Sequence, residues 1–114
     1  MDENDKPILV YTTFPDRDVA NAVARALVED RLAACVNLLG PMTSVYRWDG
    51  AIETATETVG IVKTRAGLAE AVQVRIRGLH PYANPALLVL RTDGGAAEFI
   101  DWIVAETDGA TRSP

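Results

Sequence analysis

The chain is poor in the residues that build compact metal and disulfide sites. It has one cysteine, Cys35, and one histidine, His80, in 114 residues. A lone cysteine excludes an intramolecular disulfide framework. One Cys and one His also exclude zinc-finger, CxxC and HExxH sites, each of which draws several such ligands from one chain. Basic residues are scarce: 11 against 16 acidic ones, for a formal net charge of −5. They form no run, which argues against nucleic acid, where phosphate neutralisation by Lys and Arg supplies most of the affinity. Long apolar runs are missing too. The longest aliphatic stretch, Ala86 to Leu90, is far below the roughly 20 residues of a membrane-spanning helix. The opening Met1-Asp-Glu-Asn-Asp-Lys-Pro7 is polar and lacks a basic segment leading into an apolar one, so it does not read as a signal peptide. The expectation is a soluble, cytoplasmic protein with no nucleic-acid partner and no membrane insertion.

What is present is a well-punctuated alternation of elements. Apolar residues make up 48% of the chain, enough for one folded domain. Residues 1–7 read as a flexible tail, 8–106 as the domain and 107–114 as a second flexible tail. Ile8 to Thr13 is β-branched and aromatic, the pattern of a strand. Asp16 is placed to cap a helix whose apolar positions are Val19, Ala22, Val23, Ala26 and Leu27, running to about Leu32. Cys35 to Trp48 reads as a second strand, with a bend or bulge at Gly40-Pro41. Asp49-Gly50 is a strong two-residue hairpin signal. Ala51 to Lys63 returns as a third strand. A second helix, about Ala66 to Leu79, carries the stripe Leu68, Val72, Ile76 and Leu79, with Gly78 as its expected C-terminal cap. Leu87 to Arg91 is a fourth strand, apolar enough to suggest burial on both faces. A short helix carrying Phe99, Trp102 and Ile103 closes the domain.

The order predicts an α+β, ferredoxin-like β-α-β-β-α-β sandwich with a long β2–β3 hairpin and a C-terminal helix. That fold hosts many functions and names none. The hairpin is the informative departure. Arms of about 13 residues span roughly 40 Å at ~3.3 Å per residue, against a radius of gyration of about 13 Å for a domain of this size. A bare two-stranded ribbon is marginal in water. Tyr46 and Trp48 share one face near its tip, with Ser44 in line, so the ribbon is expected to seat against a neighbouring copy of the chain.

Several short motifs stand in order: Arg31-Leu-Ala-Ala-Cys-Val-Asn37, Ser44-x-Tyr46-x-Trp48-x-Gly50, Glu57 followed by Lys63-Thr64, His80-Pro-Tyr-x-x-Pro85, and Ile100-x-Trp102-Ile103. In this order and spacing the chain resembles the CutA family of divalent-cation tolerance proteins over about residues 8–104. The resemblance implies a homotrimer in which long hairpins extend neighbouring sheets. It also implies a role in tolerance of, or response to, divalent metal ions, with copper binding in some members, and no enzymatic reaction. The chain departs from the family pattern at Thr12 and Leu79, where some members place Cys and His, and at Ala51 and Ala86.

Residue by residue, the candidates are these. His80 and Cys35 are the candidate metal ligands, for copper or another divalent cation. Weighed on their own, His80 at a helix end reads first as a local hydrogen-bonding residue, and Cys35 among alanines as a small buried hydrophobe. Glu57, Lys63 and Tyr82 are candidates for a cleft between subunits. Tyr46 and Trp48 are candidates for the trimer interface, where aromatics are enriched. The alternative function is a PII-type trimeric regulatory module binding a small ligand in the inter-subunit cleft, although Gly94-Gly95 is a poor phosphate cradle. An acylphosphatase-like enzyme is disfavoured, because Thr12 to Arg17 has no glycine-rich anion loop. No nucleophile–base pairing is readable, and no downstream partner is identified.

Overall fold

A computed structural model of the chain describes residues 2–109. Met1 and residues 110–114, both assigned to tails from the sequence, lie outside the described residues. The elements run β1 (Pro7–Phe14), α1 (Arg17–Glu29), β2 (Cys35–Trp48), β3 (Ala51–Arg65), α2 (Ala69–Leu79), β4 (Leu87–Arg91) and α3 (Ala97–Glu106), with 3-10 turns at Glu3–Asp5 and Ala66–Leu68. The four strands form one antiparallel sheet in the order β2-β3-β1-β4. This is the ferredoxin-like arrangement expected from the sequence.

Local chemistry sets the boundaries. The Asp16 carboxylate accepts the Val19 N–H at 2.9 Å and caps α1. The helix stops at Glu29, a turn short of the sequence expectation. Arg31 takes the left-handed conformation (φ 58°), the Arg31 N–H donates to the Val28 carbonyl and the Leu32 N–H to the Leu27 carbonyl. Those are the paired bonds of a Schellman stop, here without the usual glycine. In α2, Gly78 is inside the helix and His80 is the cap, with extended backbone (ψ 137°). The cause is Pro81, whose ring disfavours a helical conformation in the residue before it.

One face of the sheet carries the core. Ile8, Val10, Phe14 and Val62 pack against Ala20, Val23 and Leu27 of α1 and Leu68, Val72 and Ile76 of α2, all buried. The other face is open in the protomer. Strand register lines up Leu9, Tyr11 and Thr13 with Lys63, Ile61 and Val59 on β3, with Leu90 and Leu88 on β4, and with Cys35, Asn37 and Leu39 on β2. Leu39 is 53% and Leu88 64% exposed. The expectation that β4 is buried on both faces therefore fails for the protomer. It is an edge strand flanked only by β1, and Leu88, Val89 and Leu90 are all exposed.

The hairpin projects. β1 pairs with β3 only up to Phe14–Thr58, so residues 42–57 form a free two-stranded ribbon and the molecule measures 46 × 30 × 21 Å. The register shifts between Leu39 and Met42, placing one extra residue in β2. That is the expected bulge at Gly40-Pro41. At the tip Asp49 and Gly50 both have positive φ (49° and 81°), as a type I′ turn requires.

The segments around Asp5 and Thr107 are tied to β3. Asp5 lies 3.6 Å from the Arg65 guanidinium, and Arg65 Nε donates to Thr107 Oγ1 at 3.0 Å. Thr107, counted with the C-terminal tail in the sequence reading, is fully buried. Its hydroxyl donates to the Ile103 carbonyl at the end of α3.

Candidate functional site

The end of β1, the foot of the ribbon and the loop after α2 meet on the open side of the sheet. Together they bound a cleft of about 550 Å³ lined by Thr13, Tyr46, Trp48, Ala55, Glu57, Tyr82, Ala83, Asn84 and Ala86. The bulge at Gly40-Pro41 matters here. Without it, Ser44, Tyr46 and Trp48 would face away from Leu39 and the open side, because one residue of slip reverses every side chain of a strand.

Glu57 is the charged centre. Ser44 Oγ donates to its Oε1 at 2.6 Å, and the Tyr82 hydroxyl approaches Oε2 at 3.5 Å. The Tyr82 phenol is held above its ordinary pKa, first by burial and then by the negative charge of Glu57. Behind Tyr82, the His80 ring is buried and stacks on Phe14, with ring centroids 5.2 Å apart. Its two nitrogens are both engaged. The Tyr82 N–H donates to Nδ1 at 3.1 Å, which leaves Nε2 to donate its proton to the Thr13 carbonyl at 2.7 Å. These partners assign the neutral Nε2–H tautomer. His80 thus pins the loop that carries Tyr82 to the end of β1.

The structure brings four of the sequence candidates into one cleft, Tyr46, Trp48, Glu57 and Tyr82, with His80 directly behind. It separates two others. Lys63 shares the face of Glu57 but lies six residues along β3, about 20 Å by strand rise, with its Nζ 5.6 Å from the centre of the Phe99 ring on α3. Cys35 pairs with Lys63 at the far end of the sheet and is half-buried. Thr13 pairs with Val59, which pairs with Leu39, so Cys35 is about 13 Å along the strand from the row that His80 contacts. Thr13 and Asn84 enter the cleft unannounced by the sequence. Neither sits in a chemical pattern; the fold alone places them.

The residues do not fit a resident copper ion within one protomer. Both nitrogens of His80 are spent on backbone groups, and Cys35 stands apart. Among the described residues no group of three or more His, Cys, Asp or Glu side chains is arranged to hold a metal ion. Also among the described residues, no helix is long and apolar enough to cross a membrane.

The family model described as CutA1 divalent ion tolerance protein matches residues 8–106. The chain belongs to the CutA1 family. It is 39% identical over 99 residues to the divalent-cation tolerance protein CutA of Thermus thermophilus, covering 87% of this chain and 96% of that one. To the protein of the same name from Pyrococcus horikoshii it is 41% identical over 100 residues, covering 88% and 97%. It spans a smaller part, 58%, of the human Protein CutA, at 37% identity over 90% of this chain. Among solved structures, CutA from Xylella fastidiosa superposes with a TM-score of 0.89 at 39% identity, covering 90% of this chain and 99% of that one. CutA1 from Oryza sativa gives 0.88 at 32% identity, covering 91% and 95%. The motifs that carried the resemblance in the sequence all fall inside the matched segment.

Proposed function

We propose that this CutA1-family protein acts in divalent-cation tolerance as a homotrimer, and that the cleft at the foot of the ribbon is its ligand site. The open face of the sheet carries the first part of this reading. Leu9, Tyr11, Ile61, Leu39, Leu88 and Leu90 form one apolar surface that α1 and α2 leave uncovered. An exposed apolar face with an unpaired apolar edge strand beside it calls for a protein partner. A projecting ribbon that pairs with the next copy makes a head-to-tail contact, and such contacts close into rings. The number three follows the family resemblance.

The relatives are named for divalent-cation tolerance and not for a reaction. We therefore read the cleft as a binding site, with the Ser44 hydroxyl serving to hold the Glu57 carboxylate in place. Copper, or another divalent cation, is the ion to which the tolerance role refers. With His80 committed to backbone groups, the response rests on the assembly and its cleft rather than on a preformed centre of His80 and Cys35. A PII-type role binding a nucleotide finds less support, because no basic side chain lines the cleft to meet phosphate.

Two measurements test this. Light scattering on the purified chain is expected to give three times 12.3 kDa, about 37 kDa; a monomer at micromolar concentration overturns the trimer. A strain lacking the protein is expected to grow poorly in raised copper and to recover when the chain is restored; unchanged copper sensitivity overturns the tolerance role. Calorimetric titration with Cu²⁺ and Zn²⁺ adds one discriminating result. Any binding is expected to survive His80→Ala in protein that remains folded, and its loss there would return His80 to the ligand set.

A further inference from the structure

Two charges on the open face have no partner in their own chain. Glu57 and Lys63 share one face of β3, and both are half-buried. Among the described residues, neither takes part in an ion pair. They cannot pair with each other inside one protomer. Six residues of strand, about 20 Å, separate them, far beyond the reach of a lysine side chain. A charge that has lost part of its hydration is stabilised by an opposite charge brought against it. For this pair, only another copy of the chain can bring it.

The two ends of the face complement each other. Glu57 stands at the foot of the ribbon with Tyr46 and Trp48, and Glu53, paired with Tyr46 across the ribbon, adds a second carboxylate. Lys63 stands at the α3 end, in the row of Cys35, Leu9 and Leu90, with its Nζ over the Phe99 ring. Phe99 stacks on Trp102 with centroids 5.6 Å apart, and both rings are exposed. Arg65, two residues beyond Lys63, is already engaged by Asp5 and Thr107. In a head-to-tail ring each contact joins two different patches of the chain. Seating the ribbon end on the α3 end brings opposite charges together. Ribbon end on ribbon end would set carboxylates against carboxylates, and α3 end on α3 end would set Lys63 against its own copy, each at a cost.

We propose that the cleft at the foot of the ribbon is completed by the next copy of the chain, whose α3 end seats on the ribbon and whose Lys63 pairs with Glu57. This rests on the reading of the chain as a homotrimer, and names what the neighbour brings to the site. Ser44 occupies Oε1 of Glu57, and Oε2, with only the long approach of Tyr82, is left to accept the ammonium group. Spent on Glu57, that ammonium adds no net positive charge, so it locks the seam and does not make a phosphate seat. The test is coupling of the purified full chain with a water-soluble carbodiimide, which joins a carboxylate to an amine only where the two touch. Linked dimers and trimers are expected on a denaturing gel, with a Glu57–Lys63 amide found by peptide mass spectrometry. At about 20 Å within one chain, that amide reports a contact between copies. Lys63→Arg keeps the charge but cannot be coupled, so it should stay assembled in light scattering and lose the amide. Lys63→Glu and Glu57→Lys should each raise the concentration at which the assembly dissociates by at least about tenfold. The double variant should recover most of that loss. An assembled protein that forms no Glu57–Lys63 amide overturns the proposal. So does a double variant that keeps its circular dichroism spectrum yet dissociates as readily as the weaker single one. A monomeric parent overturns the trimer on which the proposal rests, so mass tells the two failures apart.

Discussion

Trp48→Ala separates what holds the protomer from what holds the assembly. Trp48 is the last residue of β2, in the free part of the ribbon, and is 69% exposed in the protomer. A buried tryptophan removes up to about 250 Å² from water. If the neighbouring subunit covers the exposed share, roughly 170 Å² leaves water, worth about 4 kcal/mol at ~25 cal/mol/Å². Alanine keeps a small part of that area, so truncation should cost about 3 kcal/mol per subunit, in the range of an interface hot spot. That is about two decades in the dissociation constant of each contact. The protomer should notice little. The core cluster is built from β1, β3, α1 and α2 below the ribbon, and an exposed side chain away from it changes stability by no more than about 0.5 kcal/mol.

The assay is sedimentation velocity over a dilution series, beside denaturant unfolding at a concentration where both proteins are assembled. The expected result is a variant that dissociates at about a hundredfold higher concentration than the parent. A variant that stays assembled wherever the parent does would refute the reasoning, because the exposed area would then not be covered by a neighbour. Loss of secondary structure in the dissociated variant would refute the other half, by showing that the ring supports the protomer itself.

Three further outcomes follow from particular contacts. Thr12→Val should stabilise the chain by about 1 kcal/mol in urea unfolding, because the Thr12 hydroxyl is fully buried with no hydrogen-bond partner among the described residues. Gly60→Ala should destabilise it by about 1–3 kcal/mol; a Cβ there would lie 2.8 Å from the Phe14 ring, which the His80 stack holds in place. Glu57→Gln should bring the Tyr82 pKa down toward its ordinary value, read from phenolate absorbance in an alkaline titration, although the burial contribution remains. The sign for stability follows. A phenol whose folded-state pKa is raised contributes stability that is whole below the unfolded value, about 10, and is lost as pH climbs through the folded one. The parent should therefore lose more stability than Glu57→Gln as the solution is made alkaline beyond that point.

Much of the fold was legible because turn chemistry and periodicity agreed. Asp49-Gly50 fixed the hairpin, Gly40-Pro41 the bulge, and Asp16 the start of α1, each through a backbone requirement that few residues meet. Strand alternation also placed Tyr46 and Trp48 on one face of β2, and the cross-strand register then brought Glu57 of β3 onto that face. It failed where face is not enough. Lys63 has the parity of Glu57, but six residues of strand rise separate them. Leu87 to Arg91 looked like a doubly covered strand because an apolar run records only that its surface will be covered, by its own helices or by another chain. Thr13 and Asn84 carried no signal, since a backbone position on β1 and a loop amide join the cleft only after α2 and the ribbon are packed.

The two scarce residues show the same limit from the chemical side. A single histidine next to Pro-Tyr invites a metal reading, since imidazole is a common ligand. Pro81 is the overlooked term. By forcing His80 out of the helix it turns the ring back toward β1, where its two nitrogens meet the Thr13 carbonyl and the Tyr82 N–H. To take a metal through either nitrogen, the ring would have to abandon a buried backbone group, and an unsatisfied group of that kind costs about 1–3 kcal/mol. It would also have to leave its place against Phe14. Cys35, half-buried at the far end of the sheet, cannot share an ion with it inside one subunit. What His80 does instead is hold Tyr82 at the wall of the cleft, so its role is exerted through the position of another side chain.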